Sequence, residues 1–479
     1  MKHFFFLFLL LCLSTVPVLA QRARTTSQGI HYIKLANTLR EVHKSADAID
    51  LLERALPVFK GRYLYWEAVT HELLGLTHND QLDTARALRY LKTARSQYQK
   101  LRYVASAWAV NEIIRDISGT NLYAGVQIGA TDLKLVILKT DYETDFYEKD
   151  VRAVIEIPDV RLTDVPLSAD VSSGLRTGPN ALKACFDSIQ RYNIPGERTF
   201  VVLSSEVRDN LSRQPEARKR LYEQLSRALP SPAVRIDTTL SPAREARLFT
   251  VGAIPRQVWP TTSALAIGAS STRGGYFDGQ KTFHPLTLPV GLSTLVDQIE
   301  SRRSLGMEAY RREAQRVVGT IADTTLARHL NARNRGLLQR RTVGVGGDVV
   351  WALVTYLHPE QARLTAVAIL PEDVERFKRL ALSDYRTLTR PNLDGITDPA
   401  VRSQVERDLV GLQEKLSEKE LIAGALWLEA LMKKYDSPST PKRFVFVRNA
   451  DIGWVTGKFL ETINYEYEST IAKGALYTR

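Results

Sequence analysis

The stretch Ala124-Gly-Val-Gln-Ile-Gly-Ala-Thr-Asp-Leu-Lys-Leu-Val-Ile-Leu138 constrains this chain more than any other. It reads as a buried strand, a tight turn at Gly129 and Ala130, and a second strand. Glycine lets backbone come close to a ligand, so such a hairpin can aim N–H groups and a Thr hydroxyl at an anion. The stretch has an ungapped echo, Ala264-Leu-Ala-Ile-Gly-Ala-Ser-Ser-Thr-Arg273. Val126 matches Leu265, Ile128 matches Ile267, Gly129 matches Gly268, Ala130 matches Ala269 and Lys134 matches Arg273. Two anion-type hairpins, each followed by a cation and separated by a long α/β segment, imply two related lobes around a shared cleft.

A length of 479 residues suits two or three domains. The formal net charge of +12 favours anionic partners such as polyphosphate, nucleotides, nucleic acid or an anionic surface. The plain alternative is an exported protein that is simply basic.

Residues 1–20 have the form of a secretory leader: Met1-Lys2-His3, an apolar run from Phe4 to Leu13, and Val18-Leu19-Ala20 before a cleavage point at Gln21. The run is short for a membrane span, and Cys12 has no lipobox around it. Cleavage would leave Cys185 alone, so the mature chain can form no internal disulfide. The expected address is outside the inner membrane, periplasmic or secreted, with no membrane span.

Residues 21–29 are polar and expected to be a flexible lead-in, and 31–117 carry a helical period with almost no Gly or Pro. Leu35-Ala36, Ala48, Leu52 and Ala55 recur 39 residues later as Leu74-Gly75, Ala87, Leu91 and Ala94. Small residues at fixed positions let paired helices pack closely. The pattern resembles tetratricopeptide repeats, although the period is longer, and a plain helical bundle is the alternative. Either is a packing or docking module.

From Asn121 the texture is α/β. Strands are expected at 122–128, 133–139, 151–157, 198–203 and 234–240, with helices at 178–192 and 206–228. A helix should begin after Ser241, with Ser241 as N-cap and Pro242 in its first turn. Residues 291–333 are expected to be helical and are arginine-rich (Arg302, Arg303, Arg311, Arg312, Arg316, Arg328, Arg333), either as a solvated face or as a track for a phosphate chain. Thr342-Val-Gly-Val-Gly-Gly-Asp348 is a third glycine turn, opening a helix from Val349 to Leu357 and suited to an anion or nucleotide edge. Residues 371–440 read as helical, 443–448 as a strand, and Gly453 onward as a closing helix.

Over residues 121–460 the order of motifs resembles the exopolyphosphatase / guanosine pentaphosphate phosphohydrolase family of the actin-like and sugar-kinase superfamily. The family's Asp-Ile-Gly-Ser-Asn-Ser-Phe-Arg-Leu-Val-Ile is similar to Gln127-Ile-Gly-Ala-Thr-Asp-Leu-Lys-Leu-Val-Ile137, and its Thr-Ser-Ala-Val-Arg-Asp to Ser204-Ser-Glu-Val-Arg-Asp209. Its Ser-Gly-x-Glu-Glu-Ala-Arg-Leu resembles Ser241-Pro-Ala-Arg-Glu-Ala-Arg-Leu248, and its Asp-Ile-Gly-Gly-Gly-Ser-Thr-Glu resembles Ala266-Ile-Gly-Ala-Ser-Ser-Thr-Arg273. Leu288-Pro-Val-Gly291, Val343-Gly-Val-Gly-Gly347 and Leu421-Ile-Ala-Gly-Ala-Leu426 follow in the family's order. The resemblance implies a two-lobed actin-like (ribonuclease H-like) α/β fold behind the helical module. The expected boundaries are leader 1–20, helical module 21–118, first lobe 119–255 and second lobe 256–479.

The chain departs from that family where the chemistry sits. Removing a terminal phosphate needs a positioned water, a base, and cationic or N–H clamps on the phosphoryl oxygens. The acids that help hold Mg²⁺ in the family are Gln127, Ala266 and Arg273 here, so Mg²⁺ should be held poorly. The resemblance leaves Glu245 as the catalytic glutamate. It makes Gly129, Thr131, Lys134, Arg208, Gly268, Ser271, Thr272, Arg273, Gly346 and Gly347 the candidate phosphate-binding residues. Asp132 and Asp348 could restore a metal ligand or simply cap turns.

Two readings follow. One is an exported protein that binds polyphosphate or another phosphoanhydride in the cleft and hydrolyses it if Glu245 still serves as a base. The other is an inactive scaffold that docks a protein partner through its helices. Nucleic acid is a poor fit, because the basic residues are not interleaved with aromatics in any one run. The two part on one contact: Arg273 either joins Glu245, Lys134 and Arg208 around a phosphate, or neutralises Glu245 itself.

Overall fold

A computed structural model describes residues 22–118, 122–130, 132–142, 147–158, 160–162, 176–212, 214–301, 303–330, 335–436 and 441–476. The leader, Thr131, Arg302 and Arg333 lie outside the described residues. The chain forms two compact units, one of Met1–Leu122 with Asn464–Arg479, the other of Tyr123–Ile463.

The first unit is built from helices α1 (Thr26–Glu41), α2 (Ser45–Phe59), α3 (Leu64–Asp80), α4 (Thr84–Lys100) and α5 (Val104–Ile117). The expected lead-in is shorter than its composition implied, because the Thr25 side chain accepts from the Gln28 N–H and caps α1 at Thr26. The repeat has a geometric counterpart. Ala48, Leu52 and Ala55 of α2 are buried, as are Ala87, Leu91 and Ala94 of α4, so the two helical hairpins use the same small-large-small stripe. Gly75 lies against Leu91, whereas Leu35, its expected counterpart's neighbour in the first hairpin, is 42% exposed.

The turns repeat as well. His43, Leu82 and Arg102 each take a left-handed conformation, with φ of 59°, 63° and 60°. In each turn that residue's N–H and the next one's return to the preceding helix, as in Leu82 N to Asn79 O at 2.9 Å and Asp83 N to His78 O at 2.9 Å.

The second unit holds two sheets. In the first, β1 (Leu122–Ile128), β2 (Leu133–Tyr142), β3 (Tyr147–Ile157), β6 (Thr199–Leu203) and β7 (Ile236–Asp237) lie in the order β3-β2-β1-β6-β7. A two-stranded ladder of β4 (Val160–Arg161) and β5 (Arg176–Thr177) stands apart. In the second sheet, β8 (Thr262–Ile267), β9 (Thr272–Phe277), β10 (Phe283–Leu288), β11 (Thr342–Gly346), β12 (Ala366–Ile369) and β13 (Arg443–Val447) lie in the order β10-β9-β8-β11-β13-β12.

Antiparallel pairs β2–β3, β8–β9 and β9–β10 belong to the hairpin side of each sheet, while β1–β6, β6–β7, β8–β11 and β11–β13 are parallel. The shared core order, three meandering strands followed by parallel strands reached through helical crossovers, is the two-lobed actin-like α/β arrangement that the sequence implied. It places both echo turns at the carboxyl ends of β1 and β8, where open α/β sheets present ligand sites.

Local detail differs in places. The expected helix 206–228 is two helices, Ser205–Asn210 and Pro215–Arg227, because Pro215 fits only the first turn of a new helix. The strand expected at 234–240 reduces to Ile236–Asp237, and the stretch 371–440 is divided into four helices. Ser241 caps the helix Pro242–Ala253 as expected, its hydroxyl accepting from Arg244 N at 3.1 Å.

Candidate functional site

The first turn supplies its own anion. Gly129 N donates to Asp132 O at 2.8 Å, closing the hairpin. A side chain at Gly129 would meet Asp132 Oδ1 at 2.0 Å, so the carboxylate lies over the space the glycine opens. The second turn is also occupied from within. Gly268 N donates to Ser271 O at 3.0 Å, and the carbonyls of Gly268 and Ala269 accept from Leu292 N (3.0 Å) and Ser293 N (2.9 Å), the first N–H groups of the helix Leu292–Glu300. The Thr272 hydroxyl donates its one proton to Val290 O at 2.7 Å and accepts from Trp427 Nε1 at 2.9 Å, which leaves no proton for a phosphate oxygen.

The third turn is conformational. Gly347 has φ of 113°, and a Cβ there would lie 2.1 Å from Ile267 O, so only glycine fits against the end of β8. Gly346 has no such conformation; its place is set by the Ala450 side chain, which a Cβ there would meet at 2.4 Å.

Glu245 lies on the first turn of the helix Pro242–Ala253 and is 0% exposed. Its carboxylate accepts from Ser205 N at 2.9 Å and Ser205 Oγ at 2.7 Å. It also makes a direct ion pair with Arg273, whose side chain comes from β9 in the other sheet and is 14% exposed. A carboxylate held by a guanidinium, a hydroxyl and a backbone N–H is a poor proton acceptor and has no open face for a water. Ser271, next to Thr272 on the same turn, is half-buried.

Lys134 occupies the equivalent place in the first hairpin and has a different set of partners. Its ammonium is 2.9 Å from Asp451, 3.5 Å from Asp132 and 3.9 Å from Glu156. Burial would pull its pKa down; Asp451, Asp132 and Glu156 outweigh that and hold it above the ordinary lysine value. Burial pushes the Asp451 carboxyl up, but Lys134 and Lys415 outweigh it, so its pKa lies below the ordinary value.

Gln127 sends its amide Nε2 to Asp451 O at 2.9 Å. Glu156 also holds Lys415 at 2.8 Å. Lys134, Gln127 and Glu156 come from the first sheet; Asp451 and Lys415 come from segments around the second. Arg208 turns away onto its neighbour, both Nε (3.0 Å) and Nη2 (2.7 Å) donating to Asp209 Oδ1.

The candidates therefore form two clusters, a Glu245–Arg273–Ser205 group in which the two charges cancel and a Lys134–Asp451–Asp132–Glu156 group in which acids outnumber the ammonium, with Arg208 paired outside both. Ser205, Asp451, Lys415 and Glu156 were not singled out by sequence reasoning. Ser205 had a signal, its place in the Ser-Ser-Glu-Val-Arg-Asp motif; the other three had none. The Mg²⁺ implied by the resemblance does not fit these residues. An amide, a methyl group and a guanidinium replace its acids, and among the described residues no three His, Cys, Asp or Glu side chains are grouped to hold a metal.

No family model matches the chain, and no curated protein matches it. Among solved structures it is similar to the Ppx/GppA protein family member of Aquifex aeolicus, at 14% identity over 71% of this chain and 97% of that one, with a TM-score of 0.45. An exopolyphosphatase from Cytophaga hutchinsonii is 13% identical over 71% of this chain and 98% of that one, with a TM-score of 0.47. An exopolyphosphatase-like protein is 14% identical over 73% of this chain and 100% of that one, with a TM-score of 0.47.

Proposed function

We propose that this protein is a non-hydrolytic member of the phosphatase-like actin fold, exported from the cytoplasm, whose candidate base Glu245 is neutralised by its own Arg273 and which serves as a docking scaffold. The ion pair between Glu245 and Arg273 carries the reading: the base that the resemblance implies is buried against a guanidinium and a serine. The leader-like sequence of residues 1–20 supports export. No helix among the described residues is long and apolar enough to cross a membrane. The helical unit supports docking: Tyr63, Tyr65 and Tyr103 are exposed, and the Tyr65 and Tyr103 rings stand edge to face at 5.6 Å.

A second reading, binding of polyphosphate or another phosphoanhydride, is supported by the cation behind each of the two turns. A polyanion would then have to displace Glu245 from Arg273, or the carboxylates from Lys134.

The test is phosphate release from long-chain polyphosphate and a nucleotide panel, with Mg²⁺, with Mn²⁺ and without metal, beside Glu245→Gln. No release above the blank is expected. Release that Glu245→Gln abolishes would overturn the proposal. Polyphosphate binding without release, weakened by Arg273→Gln, would favour the second reading.

A further inference from the structure

The helical unit carries charge that its own packing does not use. Helix α4 (Thr84–Lys100) holds Arg86, Arg89, Lys92, Arg95 and Lys100 and no acid. Arg86 is answered by Asp83 in the preceding turn, at 3.4 Å. Ala87, Leu91 and Ala94 bury one stripe of the helix, and the cations take the rest. Lys92, Arg95 and Gln99 follow one another at the spacing that shares a helix face.

That face borders a groove between α4 and α5 (Val104–Ile117), with a volume of about 550 Å³. Arg95 and Gln99 come to it from α4, Arg102 from the turn, and Val104, Ala107 and Trp108 from α5 as its apolar part. The left-handed turn places Arg102, whose N–H donates to Gln99 O at 3.1 Å. Trp108 meets Tyr467 of the closing helix edge to face, with ring centres 6.0 Å apart. Among the described residues no carboxylate lines the groove. A cleft of this size takes a ligand as large as a few residues of peptide.

Arg95 is the group that lacks a partner. Its Nη1 donates to Asn111 Oδ1 at 2.7 Å, which anchors the guanidinium, while its Nε is buried with no acceptor. Among the described residues its charge meets no carboxylate. A half-buried guanidinium with unmet donors is costly, and a carboxylate brings both the counter-charge and acceptor oxygens in matching geometry.

We infer that this groove docks an acidic peptide segment of a protein partner, with a carboxylate on Arg95 and a neighbouring aliphatic or aromatic side chain against Val104, Ala107 and Trp108. This rests on the docking reading above and gives it a place and a partner chemistry. Tyr103, between two lining residues, is exposed and pairs with Tyr65, so the groove adjoins the exposed tyrosines. The apolar part favours a peptide over a nucleic-acid backbone, which offers charge without aliphatic side chains.

The experiment pans short random peptides displayed on phage against the mature protein. Enriched peptides are then titrated by fluorescence anisotropy on the native chain, on Arg95→Gln, on Val104→Glu and on Glu372→Gln at an exposed site elsewhere, with an oligothymidylate beside them. Enriched peptides should carry Asp or Glu beside an aliphatic or aromatic residue. Arg95→Gln should weaken them about tenfold, since a charge-assisted contact becomes a neutral one, and Glu372→Gln should not. Val104→Glu puts a like charge in the groove at a helix start that tolerates an acid, and should weaken them to a similar degree. The inference fails if no peptide is enriched, if the enriched peptides lack an acid, or if the oligothymidylate alone binds through Arg95. It also fails if both groove variants bind as tightly as the native chain; docking then uses another face, and the scaffold reading survives. Failure of that reading itself would show as phosphate release. Should Arg95→Gln not fold, full-strength binding by Val104→Glu is the overturning result.

Discussion

Replacing Arg273 by Met tests the neutralised Glu245 most directly. Glu245 is fully buried and has three donors, two from Ser205 and one from the guanidinium. Removing the guanidinium leaves a buried charge held by two neutral donors. Breaking a buried ion pair from one side costs about 3–5 kcal/mol, and the two surviving hydrogen bonds place Arg273→Met near the lower end of that range. Glu245→Leu strands the guanidinium and takes the acceptor from both Ser205 donors, so it belongs near the upper end. The double variant removes both charges and should cost about 2 kcal/mol or less. The pair then couples by about 6 kcal/mol, a factor of more than about ten thousand in the unfolding constant. Urea unfolding of the four chains, followed by tryptophan fluorescence, measures the cycle. A cost below about 1 kcal/mol for Arg273→Met, or additive single effects, would show that the carboxylate does not need its partner, and the reasoning would fall.

Other outcomes follow from the same geometry. The Asp451 pKa is depressed, so its contribution to stability is fully present above the ordinary aspartate value and is lost as pH falls through the lower folded value; Tm against pH should drop there for the native chain and be flatter for Asp451→Asn. The Asp348 pKa is raised, the opposite sign: its cost is absent below the ordinary aspartate value and sets in as pH rises through the folded one. Asp348→Asn should therefore raise Tm at neutral pH and lose that advantage in acid. Leu82 is 89% exposed at φ of 63°, so Leu82→Asn should stabilise the helical unit by about 0.5–1 kcal/mol, read by thermal melting. Gly347→Ala should cost about 2 kcal/mol or more, because its Cβ would collide with Ile267 O, and an unchanged melting curve would contradict the turn geometry.

What the sequence made legible was local. The Gly129 turn and the Ser241 cap rest on contacts within a few residues, and the strand Leu122–Ile128 on its own run of apolar residues, so composition and spacing carry them. The Arg273–Glu245 contact was anticipated as one of two outcomes, because both residues stand in recognisable motifs. The partners of Lys134 were not: Asp451 lies 317 positions away, and nothing in Asn449-Ala-Asp451 marks it as an acid of this cleft. Short edge strands escaped for a related reason. Ala366–Ile369 is a four-residue strand rich in alanine, made by pairing with β13 rather than by its own preference.

The Glu245–Arg273 pair also bears on how such a chain can change over generations. Each partner is tolerable only in the presence of the other, so mutation of either alone removes several kcal/mol from a fold that holds about 5–15 kcal/mol in total. An acid at position 273 would set two carboxylates face to face, with Glu245 fully buried. The contact acts as a ratchet: neither partner can change alone without a large loss of stability, so variation is channelled to positions elsewhere on the molecule.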